Sequence, residues 1–198
     1  MKKTWILIVS VLLILNVLPA LGQTSQEDIA AANQQFEQWA KNLAYFVKDV
    51  RFNEGDIKSF ISLAEEFNSF GAGEDDDEEY TDFNTIVNDS EYMAWARSKG
   101  ISGEMWLKKS MRIIAVMMRT EMAENSPEDQ FDLQDQLEQL EEMRAQIGEE
   151  AYQQALQSMT AASAAMQGLE NAYKYLPVPT ESEKALLAQY KEQLMSLE

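Results

Sequence analysis

The stretch from about Gly103 to Glu124, GEMWLKKSMRIIAVMMRTEMAE, constrains the fold more than any other. At about 100° per residue, Trp106, Leu107, Met111, Ile113, Ile114, Met117, Met118 and Met122 fall on one broad arc. Lys108, Lys109, Arg112 and Arg119 fall on the opposite side. Such a helix buries half its circumference against several neighbours and keeps a cationic edge within reach of something acidic. The pattern therefore predicts a helical assembly with this segment at its centre.

The rest of the chain supplies the neighbours. Thr24 to Asp28 carries hydroxyls with a carboxylate three residues on, a capping-box pattern that opens a helix. In that helix Ile29, Phe36, Leu43 and Val50 recur at seven-residue spacing, with Ala32, Trp39 and Phe46 as a second series. Asn53-Glu54-Gly55 is expected to end it. A second helix follows from about Asp56 to Ser69, with Ile57, Phe60, Ile61, Ala64 and Phe67 as its apolar stripe. Glu74 to Glu79 is an unbroken run of carboxylates, which repel one another and lack apolar content, so residues 74–80 read as a loop. From Asp82 to Lys99 a helix broken near Asn88-Asp89-Ser90 is expected, and Ser102 then caps the central helix.

Ser126-Pro127-Glu128-Asp129 is a strong start signal: serine at the N-cap, proline at the first helical position, acids in the first turn. The element it opens is the longest, from Pro127 to about Tyr175. Leu133, Leu140 and Ile147 share one phase, and Tyr152, Met159, Met166 and Tyr173 another. The phase changes at Gly148, which predicts a kink or a change of packing partner. Small side chains from Ala161 to Ala165 allow a neighbouring helix to approach closely. Leu176-Pro177-Val178-Pro179 breaks the element, and Thr180 with Glu183 forms a capping box opening a last helix. Alternating β-branched segments are missing. The fold class is all-α: a multi-helix bundle of about five to seven helices around 103–124, with one long kinked helix at about 127–175.

The N-terminus reads as an address rather than as part of that bundle. Lys2 and Lys3 precede an apolar run from Trp5 to Leu18, and Ala20-Leu21-Gly22 places small residues at a signal-peptidase site. The run is shorter than the roughly 20 residues a spanning helix needs. Cleavage after Gly22 is expected, leaving a single helical domain, 23–198, in the bacterial periplasm or secreted, with no membrane attachment after cleavage. Loss of Lys2 and Lys3 carries the net charge from −18 to −20. Nucleic acid is excluded as a partner by that charge. With no cysteine, a packed core rather than disulfides must hold the exported chain together.

The chain also has no histidine. Ser-His-Asp and Cys-His catalysis, histidine-bound zinc and Glu-x-x-His di-iron sites are therefore excluded. Phosphate-binding glycine loops are absent too. Read as a calcium loop starting at Asp75, the acidic run places Tyr80 where glycine is needed and Ile86 where glutamate is needed, so that motif fails. Met117, Met118 and Met122 are soft donors, but they sit among isoleucines on the apolar arc and read as core. No catalytic, metal or cofactor residues are assigned.

The candidate ligand- or partner-binding residues are Lys108, Lys109, Arg112, Arg119 and Glu121. The four cations form a docking edge for an acidic partner, or alternatively an exposed face paired with the chain's own carboxylates. Glu121 lies inside the apolar arc between Met117 and Ile114. There its carboxylate must reach solvent, pair with a cation from another helix, or stay unpaired. The expected function is a non-catalytic binding or interaction role in the cell envelope, through a protein partner or self-association along helical seams. Alternatives are a carrier of an apolar small molecule in a cavity of methionine and aromatic side chains, and an enzyme using carboxylates.

Overall fold

The computed structural model describes residues 26–68, 83–124 and 133–197. The expected signal segment 1–22, the acidic run 74–79 and the expected helix start at Ser126-Pro127 lie outside them. The described residues form eight helices and no strand: α1 (Gln26–Val47), α2 (Glu54–Asn68), α3 (Phe83–Asn88), α4 (Ser90–Ser98), α5 (Gly103–Glu124), α6 (Leu133–Ile147), α7 (Glu149–Tyr173) and α8 (Glu181–Met195). No described helix is long and apolar enough to cross a membrane.

α5 is the central helix, and it is buried more completely than its amphipathic pattern implies. Leu107, Ile113 and Val116 pack into a cluster with α2, α4 and α8, whose other members include Ile57, Phe60, Trp95 and Leu187. Ala115 and Met118 join a second cluster with α1 and α7 through Ala40, Leu43, Leu169 and Ala172. Ala115 and Val116 project from the side of the helix that carries the cations, so the middle of α5 is buried there as well, while Ile114 and Met117 on the apolar arc are partly buried. Met111, Met117 and Met122 fill gaps against these clusters, as flexible thioether side chains do.

Several boundaries differ from the sequence pattern for identifiable reasons. α1 stops at Val47, before Asn53 is reached. Asn53 instead caps α2: its Oδ1 accepts from the Asp56 N–H at 3.2 Å, and Asp56 Oδ2 accepts from the Asn53 N–H at 2.9 Å. Val50 keeps its heptad position and is buried, but in the connecting segment. Within α1 the second buried series is Ala40 and Val47 rather than Ala32, Trp39 and Phe46, because small residues let α7 come close. Asp89 separates α3 from α4 by accepting the Tyr92 N–H at 2.7 Å.

α1 and α7 run parallel. Ile29 packs on Ala161 and Ala165, Asn33 donates to the Ala164 carbonyl at 2.8 Å, and Lys41 lies over the Tyr175 ring. Asn33 also occupies the space above Gly168, where an added Cβ would lie 2.0 Å from its Oδ1. Gly168→Ala therefore sets two effects against each other. Alanine gains about 1 kcal/mol of helix propensity, but displacing Asn33 costs its hydrogen bond and about 1–3 kcal/mol of overpacking. A net loss of about 1 kcal/mol is expected in urea melts. In an Asn33→Ala background the obstacle is gone, and the same substitution is expected to be neutral or stabilising.

At Gly148 (φ +82°) the expected long element divides. Arg144 pairs with Glu149, and Tyr152 donates to Glu141 at 2.6 Å. Along an unbroken helix Glu141 and Tyr152 would stand roughly 16 Å apart. The pairings run symmetrically outward from the glycine, so α6 turns back along the first half of α7. A backbone with positive φ is what glycine permits without a Cβ clash.

Candidate functional site

The four cations of α5 reach four different places. Lys108 Nζ bonds Glu104 Oε1 one turn back at 2.6 Å and stands 5.5 Å from the centre of the Phe46 ring. Lys109 Nζ bonds both Asp56 oxygens, at 2.9 and 3.0 Å, tying α5 to the first turn of α2. Arg119 Nη1 donates to the carbonyls of Tyr173 and Leu176, and its guanidinium lies 4.3 Å from the Tyr173 ring centre. It thus satisfies carbonyls at the C-terminal end of α7, where the helix dipole favours a cation.

Arg112 departs most from the expected edge. It is 1% exposed, and its partner Glu183 is 0% exposed. The guanidinium grips the carboxylate in bidentate fashion, Nε to Oε1 at 2.6 Å and Nη2 to Oε2 at 2.9 Å. Oε2 also accepts from the Thr180 N–H at 2.8 Å and its hydroxyl at 3.1 Å, and the Thr180 hydroxyl caps the Glu183 N–H. One carboxylate therefore serves as N3 of the α8 capping box and as counter-ion to a core arginine. Burial pushes its pKa up. The hydrogen bonds from Arg112 and Thr180, with the arginine's charge, outweigh that and hold it below the usual carboxylate range.

Glu121 is half-buried near the end of α5 and is engaged within the chain. Its place is apart from the Arg112–Glu183 pair, and the five candidate residues do not converge on one cleft. Glu183 and the aromatic cluster were not among the candidates. The available signal was the pair of small apolar residues, Ala115 and Val116, beside Arg112 on what looked like a charged face.

The aromatic cluster joins α2, α4 and α5. Trp106 lies 5.2 Å from Phe67, 5.3 Å from Trp95 and 6.4 Å from Phe60, centre to centre. Its indole N–H donates to Ser59 Oγ at 3.0 Å, and that of Trp95 to Glu66 Oε2 at 3.2 Å. Tyr92 donates to the Gly103 carbonyl at 2.7 Å, and burial pushes its pKa up. These tips are all satisfied, which is how polar aromatics behave as core.

Among the described residues, no buried side-chain nitrogen or oxygen lacks a hydrogen-bond partner. No group of three or more acidic side chains there is placed to hold a metal. The buried polar side chains of the described residues are satisfied by contacts within the fold.

The surface carries a different kind of feature. α6 packs chiefly on α7, and the register of Ile29 on Ala161 and Ala165 carries the first residues of α7 about 15 Å past the start of α1. On this hairpin Leu140 is buried, whereas Leu137, Met143 and Ile147 are 36%, 45% and 40% exposed. No known family, curated protein or solved structure matches the chain.

Proposed function

We propose that this chain is an exported helical protein of the cell envelope whose role is non-catalytic: it binds a partner through the α6–α7 hairpin. The observation that carries this proposal is the distribution of satisfied and unsatisfied surface. The charged groups of α5 that offered chemistry are occupied within the fold. The hairpin presents three large apolar side chains to solvent on one helix. Scattered apolar exposure is ordinary, but three large side chains exposed on one helix, in a hairpin whose α6 packs chiefly on α7, favour an interaction surface. Export rests on the basic, apolar and small-residue order of Met1–Gly22.

The test is site-specific photo-crosslinking in the protein's own host. A photoreactive residue at Met143 is expected to give a discrete adduct that Leu137→Gln with Ile147→Gln abolishes. The same residue at Tyr45, which is 72% exposed and far along α1, is expected to give none. Absence of an adduct at Met143, or equal adducts at both positions, would contradict the proposal. The intact mass of the uncrosslinked chain from the same cells tests export, since a chain beginning at Gln23 is expected.

A further inference from the structure

We infer that α8 is an acid-released helix: protonation of Glu183 frees it from the body and uncovers its buried stripe of Leu187, Tyr190 and Leu194. The contact between α5 and α8 carries the switch. Among the described residues, Arg112 and Glu183 are the only charged side chains that are buried. A guanidinium keeps its proton at any ordinary pH, so Glu183 is the member of the pair that titrates.

The surroundings of that carboxylate are built for its ionised form. Oε1 accepts from Arg112 Nε, and Oε2 accepts from Arg112 Nη2 and the Thr180 N–H. These three groups only donate, so an added proton finds no acceptor among them. The Thr180 hydroxyl can turn to accept it, but then gives up its own bond to Oε2. Protonation therefore loosens the bidentate grip and leaves the Arg112 charge buried without an anion. No second anion stands ready. On α8 Glu181 pairs with Lys184 in solvent, and beside Arg112 on α5 Lys108 and Lys109 are held by Glu104 and Asp56. Burial pushes the Glu183 pKa up, but the bonds from Arg112 and Thr180 hold it below the usual carboxylate range. Docking is thus complete at neutral pH and is lost as pH falls below that range.

The other polar ties of α8 weaken in the same direction. Tyr190 donates to Glu54 on α2, which Lys58 also holds, and Lys191 bonds Glu124 at the end of α5. Each is strongest with the carboxylate ionised. The buried ties among the other helices are neutral: Asn33 to the Ala164 carbonyl, Trp106 to Ser59, and Tyr92 to the Gly103 carbonyl. The ion pairs that join α2 to α5 and α4, Lys109–Asp56 and Lys99–Glu66, have side chains 20–50% exposed, where water replaces a lost partner. The clusters that join α1 to α7 contain no side chain of α8, and no described helix follows it. Acid therefore acts first on the docking of one helix.

Amide exchange read by mass spectrometry at about pH 7 and about pH 3, each corrected for the intrinsic rate, follows the release helix by helix. In the parent the α8 amides are expected to exchange at least about tenfold faster in acid, while those of α1 and α7 keep their protection. Glu183→Gln is expected to show the fast α8 already at neutral pH. Arg112→Met/Glu183→Leu, which has no charge to strand, is expected to lose most of the acid effect. The parent and the double variant decide the matter even where Glu183→Gln does not fold. Loss of protection in α1, α7 and α8 together overturns the inference, because the domain then unfolds as one. So does an α8 equally protected at both pH values, and so does an undiminished acid effect in the double variant, which places the trigger elsewhere.

Discussion

Replacing Glu183 by glutamine is expected to destabilise the fold by about 3–5 kcal/mol, a large share of the roughly 5–15 kcal/mol that holds a domain together. The carboxylate accepts two bonds from Arg112 and two from Thr180. An amide of the same shape has one acceptor oxygen, and its NH2 must face a donor, either the guanidinium or Thr180. It also leaves the Arg112 charge buried without a counter-ion, which is the costly part. Removing both charges, as in Arg112→Met with Glu183→Leu, is expected to recover most of the loss. About 1 kcal/mol is retained for the broken capping box. The pH dependence has a definite sign. The folded pKa of Glu183 lies below that of an unfolded glutamate, so its contribution is complete above the unfolded pKa and disappears as pH falls through the folded one. The gap between parent and Glu183→Gln in urea melts should therefore hold from neutral pH to about 5 and close in more acidic buffer. A gap that stays constant into strong acid would show that the pair is not ionised in the fold.

Trp106→Ala is expected to cost about 3–5 kcal/mol by cavity formation and lost transfer energy. Trp106 is where α5 meets α2 and α4, in ring contact with Phe60, Phe67 and Trp95. Each ring pair adds about 0.5–1.5 kcal/mol beyond burial, and the terms are not additive. Trp106→Phe should keep part of the ring packing and lose mainly the bond to Ser59, about 1 kcal/mol. Near-ultraviolet circular dichroism should weaken in the alanine variant, because the other rings lose their fixed neighbour. A loss below about 1 kcal/mol would mean that α2 and α5 are not joined through this side chain.

The two sites differ in how far the sequence announces them. The bounds of α5 are legible because Ser102 precedes and Asn125 follows an unbroken apolar period. Gly148 is legible through the change of heptad phase, and the start of α8 through its capping box. The burial of Arg112 is not. Its helical phase matches that of the lysines, and nothing local distinguishes an arginine aimed at solvent from one aimed at a carboxylate 71 residues away. The reversal at Gly148 exceeds a kink for a related reason: periodicity reports which face is apolar, but only tertiary packing decides what covers it. The same limit applies to α6, whose seam is plain in the sequence while its exposed edges are not.

The described fold is a body packed around α5, with α6 and the start of α7 held to it chiefly through α7 itself. Native-state amide hydrogen exchange tests this most directly. The amides in the middle of α5 are expected to exchange only through global unfolding, since that helix packs into both main core clusters. Those of α6 are expected to exchange through a local opening of lower free energy, insensitive to Glu183→Gln and Trp106→Ala. Equal protection of α6 and α5, with both falling together in the two variants, would show instead that hairpin and body unfold as one unit.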